Sequence, residues 1–154
     1  MYIHTSTPEA KDCIVTSSTY PCLCAMIRKA DRIVTRNYEK HLKSCGLKVT
    51  QLSMLAKISR NPSITASELA QSLRMDQTTV SRNLLVLEKS GYVRLEEEAT
   101  DRRIKRIQIA EAGVSKINEA LPLWEKAQQE MEGILGRDNI DEMLKILRTL
   151  SRRG

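Results

Sequence analysis

Four side chains in the segment DQTTVSRNLLVLEKSG, residues 76 to 91, have types and spacing suited to reading another molecule. If Val80, Leu84 and Leu87 form the buried stripe of a helix, the opposite stripe carries Gln77, Thr78, Ser81 and Arg82. Short donors and acceptors beside one guanidinium can enter a DNA major groove, roughly 12 Å wide, and reach base edges, which a bulky or acidic face could not do. A solvated helix face is the other reading of the same residues, so the surrounding elements must decide. A second chemical candidate is Cys22 and Cys24, placed where the aligned amides of a helix start favour a thiolate. Small apolar side chains at a packed interface are the alternative reading of those cysteines. Catalysis is poorly served: the histidines are His4 and His41, with no Gly-rich phosphate loop and no triad. The expectation is therefore no enzyme and no cofactor. The Cys-X-Cys spacing also lacks the usual Cys-X-X-Cys form, so no metal site is expected.

The elements that must hold the 77–82 face are well specified. Thr65 and Glu68 have the spacing of a capping box, and Ile64 and Leu69 stand where a hydrophobic staple would clamp the helix entry. Ala66, Leu69, Ala70 and Leu73 give one buried stripe, Arg74 and Met75 make a turn, and Asp76 can cap the next helix. This is a helix-turn-helix. Beyond it, VRL at 93–95 and RIQI at 106–109 alternate as two short strands joined by EEEATDRR. Such a hairpin is a wing, whose tip places Arg102 and Arg103 where they can follow phosphates or enter a minor groove. Glu96, Glu97 and Glu98 confine that contact to the tip.

The flanks are helical. Residues 1–20 read as a polar tail. Residues 21–48 hold one long helix, from Pro21 to Lys43, with Leu23, Ile27, Ala30, Val34 and Leu42 at helical spacing and Gly46 just past its end. The winged helix-turn-helix region spans 49–110 and opens with a helix from about Thr50 to Arg60, stopped by Asn61-Pro62. In 111–154, Val114, Ile117, Leu121, Trp124, Met131 and Leu135 form a helical seam in which Gln128 fills the missing position. A last helix runs from about Asn139 to Arg152. The winged part cannot cover all these apolar faces, so 21–48 and 111–154 are read as dimerisation helices of a homodimer.

Composition agrees with this reading. With no Phe and one Trp, the core must be built from aliphatic residues and Met, which favours helices. The net charge of +6 is uneven: residues 21–60 hold nine Lys or Arg against two acids, and 111–150 five against eight. A field of that kind suits meeting a polyanion with one face. Cys13, Cys22, Cys24 and Cys45 make a poor disulfide framework and are read as free thiols. No apolar run approaches the ~20 residues of a membrane span, so a soluble cytoplasmic protein without a membrane partner is expected. The expected fold is mainly α with a small β-hairpin wing. A protein-interaction module without DNA binding is the alternative function.

Three motifs carry a resemblance: GLKVTQLSML, ELAQSLRMDQTTVSRNLLVLEKSGYV and DRRIKRIQIAEAG. Together, from about Cys22 to Leu150, the chain resembles the MarR transcriptional regulators. These are dimeric winged-helix proteins that bind pseudo-palindromic operator DNA, mostly as repressors, and are released by small ligands or thiol oxidation. By that resemblance Gln77, Thr78, Thr79, Ser81 and Arg82 match recognition-helix positions. Asp101 with Arg102 or Arg103 matches the wing pair, in which the acid orients an arginine into the minor groove. Leu85 and Val86 depart from the family pattern, standing where polar or basic residues are frequent, and Ala110 stands where a threonine usually caps the next helix. In the peroxide-sensing branch the reactive cysteine matches Cys24, beside Cys22; one tyrosine partner matches Tyr38 and the other is replaced by Arg28. Fourteen positions along one helix separate Cys24 from Tyr38 by about 21 Å, so their contact would have to cross between subunits. A small apolar effector between the dimer helices and the winged lobe is the other release signal that the resemblance implies.

Overall fold

The computed structural model describes residues 21–98 and 104–152. Helix α1 (Leu23–Leu42) runs into a 3-10 turn (Lys43–Cys45) closed by Gly46 at φ 72°, a left-handed conformation that costs glycine nothing. The chain divides between Arg36 and Asn37 into two units. In the first, Leu23, Met26, Ile27 and Ile33 of α1 are exposed.

The second unit holds the remaining elements. Helix α2 (Val49–Arg60) buries Met54, Leu55 and Ile58, and Asn61 ends it by donating its side-chain amide to the Lys57 carbonyl at 2.8 Å. Strand β1 (Ile64–Thr65) leads directly into α3 (Ala66–Leu73), and α4 (Gln77–Lys89) follows. Strands β2 (Val93–Glu97) and β3 (Lys105–Ile109) then pair antiparallel, with Val93 opposite Ile109, Leu95 opposite Ile107 and Glu97 opposite Lys105. Helices α5 (Glu111–Leu135) and α6 (Arg137–Ser151) complete the unit. The core is aliphatic, as a chain without Phe requires: Leu55, Leu69, Val80, Leu87 and Ile107 are each at most 1% exposed.

Three features differ from the sequence reading. The sheet has three strands in the order β1-β3-β2, because Ile64 and Thr65 pair with Ile107 and Arg106. Two residues are too few to show alternation, so this strand leaves no periodic signal. The hairpin is also longer than VRL and RIQI alone. Glu96 and Glu97 join β2 because each lies opposite a cation on β3, Arg106 and Lys105, which favours cross-strand pairing. Finally, α5 also packs on its own protomer, a contact that the seam alone did not announce. Gly113, Ala120, Ala127 and Met131 are buried, whereas Val114, Leu121 and Trp124 of the expected seam are 42%, 47% and 37% exposed. The helix continues through Pro122.

Gly113 shows why the core-facing side of α5 is small. A Cβ built there would lie 2.2 Å from the Tyr92 carbonyl oxygen, which already accepts the Ala110 amide at 2.9 Å. Nothing stands within 4 Å of a Cβ at Gly133, farther along the same helix. Gly113→Ala should therefore destabilise the protein by about 1–3 kcal/mol through overpacking against backbone. Gly133→Ala should stabilise it by up to about 1 kcal/mol through helix propensity. Urea melts of the two variants should move in opposite directions; a Gly113→Ala variant as stable as the native protein would mean that α5 does not approach Tyr92 this closely.

Candidate nucleic-acid interface

The face on α4 is set by local chemistry at both ends of the preceding turn. At the start of α3, the Thr65 hydroxyl accepts the Glu68 amide at 3.2 Å, and Glu68 accepts the Thr65 amide at 2.8 Å, so the capping box is formed. At its end Arg74 adopts φ 53°, a left-handed position that a glycine would fill more cheaply, and the Met75 amide returns to the Ala70 carbonyl at 3.0 Å. Asp76 then caps α4, its carboxylate accepting the Thr79 amide at 2.7 Å and the Thr79 hydroxyl at 2.6 Å. With Val80, Leu84 and Leu87 buried, Gln77, Thr78, Ser81 and Arg82 are all exposed on the opposite side. The structure thus brings these four together. Thr79 is half-buried, and its amide and hydroxyl donate to the carboxylate of Asp76, the capping residue. Gln77 donates to the Ser67 hydroxyl at 3.2 Å, tying the start of α4 to α3.

Asp101, Arg102 and Arg103 lie outside the described residues. The base of the hairpin that carries them is described, and its organiser is a residue the sequence reading passed over. Arg106 donates through Nε and Nη2 to one Glu98 oxygen, at 3.1 and 2.9 Å, and through Nη1 to the Ser63 carbonyl at 3.2 Å. It joins both outer strands of the sheet at the wing's root. The signal for it was an acidic run facing Lys105 and Arg106 across a hairpin. An open cleft of about 490 Å³ lies between the starts of α3 and α4 and this root, lined by Thr65, Ala66, Ser67, Gln77, Ile104 and Lys105.

The residues of the expected thiol site fall in separate units. Cys22 is half-buried and Cys24 exposed, both in the first unit with Arg28, which is also exposed. Tyr38 belongs to the second unit, where its hydroxyl donates to Oε1 of Gln128 on α5 and its ring lies 6.4 Å from that of Trp124. Burial, and then the nearby Glu132 carboxylate, raise its pKa above 10.0 and keep it a neutral donor. Cys45 is buried and its thiol donates to the Leu42 carbonyl at 3.1 Å. His41 bonds through Nε2 to Glu130 at 2.7 Å, a partner no local pattern indicated. Among the described residues no group of three or more His, Cys, Asp or Glu side chains could hold a metal ion, and no helix is long and apolar enough to cross a membrane.

Comparison with known proteins places this geometry. The family model described as MarR family matches residues 46–104, from the 3-10 turn to the wing's root. The chain is 30% identical over 119 residues to the transcriptional repressor MprA of Escherichia coli K12, covering 76% of this chain and 68% of that protein. The chain belongs to the MarR family. Among solved structures it is similar to the M. tuberculosis transcriptional regulator MosR in complex with DNA, with a TM-score of 0.76, 34% identity and coverage of 86% of this chain and 95% of that one. The repressor CouR bound to a 23-mer DNA duplex shares the fold, with a TM-score of 0.78 at 24% identity, over 84% of this chain and 92% of that one. MarR membership is that of a transcriptional regulator and not of an enzyme.

The two caps that orient the MarR helix-turn-helix here should leave a pH signature. Hydrogen bonds from the Thr65 amide and hydroxyl hold the Glu68 carboxyl below its ordinary value of 4.5, and those from the Thr79 hydroxyl and amide hold Asp76 below 3.8. Both folded-state values are depressed, so the stabilisation is complete above the ordinary values and is lost as pH falls from there through the lower folded-state values. Thermal melts should therefore show stability dropping below about pH 4.5, with a shallower drop in the Glu68→Gln, Asp76→Asn double variant. Superimposable acid profiles would show that the caps contribute nothing to the pH dependence.

Proposed function

We propose that this chain is a sequence-specific DNA-binding transcriptional regulator, acting as a repressor, that docks the outward face of α4 into the major groove of its operator. The observation that carries the reading is the exposure of Gln77, Thr78, Ser81 and Arg82 on a helix whose opposite face is locked into the core. No acid interrupts that stretch. Arg82 supplies the guanidinium suited to the O6 and N7 of a guanine. The wing, through Asp101 and Arg102 or Arg103, would add a minor-groove contact beside it. The similarity to MprA, a transcriptional repressor, and to MosR in complex with DNA supports the assignment. An interaction module without DNA binding would leave this face without a use.

A homodimer on a pseudo-palindrome fits the rest of the chain. Val114, Leu121 and Trp124 on α5, and Met143, Leu144 and Leu147 on α6, are exposed in the single protomer and so favour a second copy as their cover. In titrations on an operator selected from random duplexes, Arg82→Ala should lose about 1–3 kcal/mol of specific binding and relax the preference at one base pair per half-site. Affinity of the native protein should fall steeply with salt, as counterion release demands. Leu121→Asp should give monomers that no longer gain from the second half-site. Equal loss on random DNA would make Arg82 a phosphate contact, and a native monomer at micromolar concentration would remove the palindrome.

Release would come from a small apolar effector or from oxidation of Cys24, and the exposure of Cys24 favours the second. A peroxide would convert its thiol to a sulfenic acid, releasing water or an alcohol. Cys24→Ser should bind operator as the native protein does yet keep it after peroxide treatment, while Cys22→Ser should still let go. Native binding that survives peroxide would leave the effector as the signal.

A further inference from the structure

One side chain on the α4 face does not suit hydrogen bonding at all. Leu85 follows Thr78 by seven residues, Ser81 by four and Arg82 by three, which is the spacing of a single helical face. At 100° per residue it falls between Ser81 and Arg82, near the middle of the outward stripe. Leu85 is 63% exposed and Val86 beside it 50%, while Val80, Leu84 and Leu87, which meet the helix's packing needs, are at most 4% exposed. Leu85 is therefore not a core residue imperfectly covered; its side chain stands out among Thr78, Ser81 and Arg82.

Single exposed leucines are ordinary on protein surfaces. The position of this one is what counts. If the stripe enters a major groove, Leu85 enters with it, because it lies about 4.5 Å beyond Arg82 along the helix axis, little more than one base-pair rise of about 3.4 Å. There it can neither accept nor donate, and it cannot hold a phosphate. The one apolar group that a base pair presents in the major groove is the 5-methyl of thymine. A branched aliphatic side chain covers that methyl and would leave the N4 amino group of a cytosine at the same place without a partner.

We propose that Leu85 is a specificity-determining residue that packs on a thymine 5-methyl group, so that each operator half-site carries a thymine within one or two base pairs of the pair read by Arg82. The inference rests on the proposed DNA-binding reading of α4 and adds to it a base and a chemical group. Val86 lies a further 100° around the helix, at the flank of the stripe, and serves as an exposed apolar control.

The test uses the full chain and an operator selected from random duplexes. Each thymine of the half-site is replaced in turn by deoxyuridine, which keeps the pairing edges and lacks only the methyl. Native protein should bind one such duplex about fourfold more weakly per half-site, the worth of one buried methyl group. That thymine should lie within two base pairs of the position at which Arg82→Ala relaxes preference. Leu85→Ala should bind the thymine and deoxyuridine duplexes equally, and Val86→Ala should discriminate as the native protein does. Leu85 is exposed, so its variant should melt with the native protein; if it does not, the deoxyuridine series on native protein alone still decides. Native binding indifferent to every deoxyuridine, discrimination retained by Leu85→Ala, or a half-site with no thymine near the Arg82 position overturns the proposal. If no sequence is enriched from random duplexes, the DNA-binding reading itself fails, and this inference with it.

Discussion

The rotation of α4 about its own axis is the constraint on which the rest depends. Val80, Leu84 and Leu87 are fully desolvated, and burying each is worth about 1.5–3 kcal/mol relative to exposure. Turning the helix by one residue, 100°, would drive Ser81 and Leu85 toward the core and take Val80 and Leu84 out of it. That loss is large beside the net stability of a small domain, so the burial of these three side chains sets the rotation. Asp76 fixes where the helix begins, and the bond from Gln77 to Ser67 fixes that beginning against α3.

The wing depends on the same frame through a different route. Strand β3 is the centre of the sheet, flanked by β1 and β2. Because β1 runs straight into α3 at Thr65, the register of Ile64 with Ile107 transmits the position of the helix-turn-helix to the hairpin. Arg106 reinforces this by holding Ser63, the residue before β1, and Glu98, the residue after β2, with one guanidinium. The pair is about a third exposed, so its Coulomb energy is modest. Its value is geometric, since planar donors in a fixed fork leave little freedom between the two strands it bridges.

What could be read from the sequence was what is decided within a turn or two of chain. Thr65 with Glu68, Asp76 before Thr79, Asn61-Pro62 after Arg60, and the spacing of Val80, Leu84 and Leu87 are all local, and each forms as its spacing implies. The outward face followed from those positions alone. The unread features are non-local or lack a side chain to announce them. Strand β1 is two residues long and exists because β3, more than forty residues later, offers an edge. The bond from Tyr38 to Gln128 and that from His41 to Glu130 join residues 90 and 89 apart. The first also explains why the seam of α5 is interrupted at Gln128: a phenol that burial keeps protonated needs an acceptor there, and an aliphatic residue would leave it unpaired.

Helix α5 shows why a periodic reading can be sound and still describe only part of a helix's contacts. Hydrophobic periodicity weighs large side chains, so it finds Val114, Leu121 and Trp124 and passes over Gly113, Ala120 and Ala127. Small residues are where backbones come close: at Gly113 a single methyl would strike the Tyr92 carbonyl. Beside these small residues α5 also buries Met131 and packs Ile117 and Leu123 on the core, while Val114, Leu121 and Trp124 stay exposed. Two faces of different size on one helix are what a chain needs if the helix must pack within its own protomer and also have apolar area left over for a second surface. The periodic signal in such a helix is therefore shared: Ile117 and Met131 of the seam serve the protomer, and Val114, Leu121 and Trp124 are left exposed.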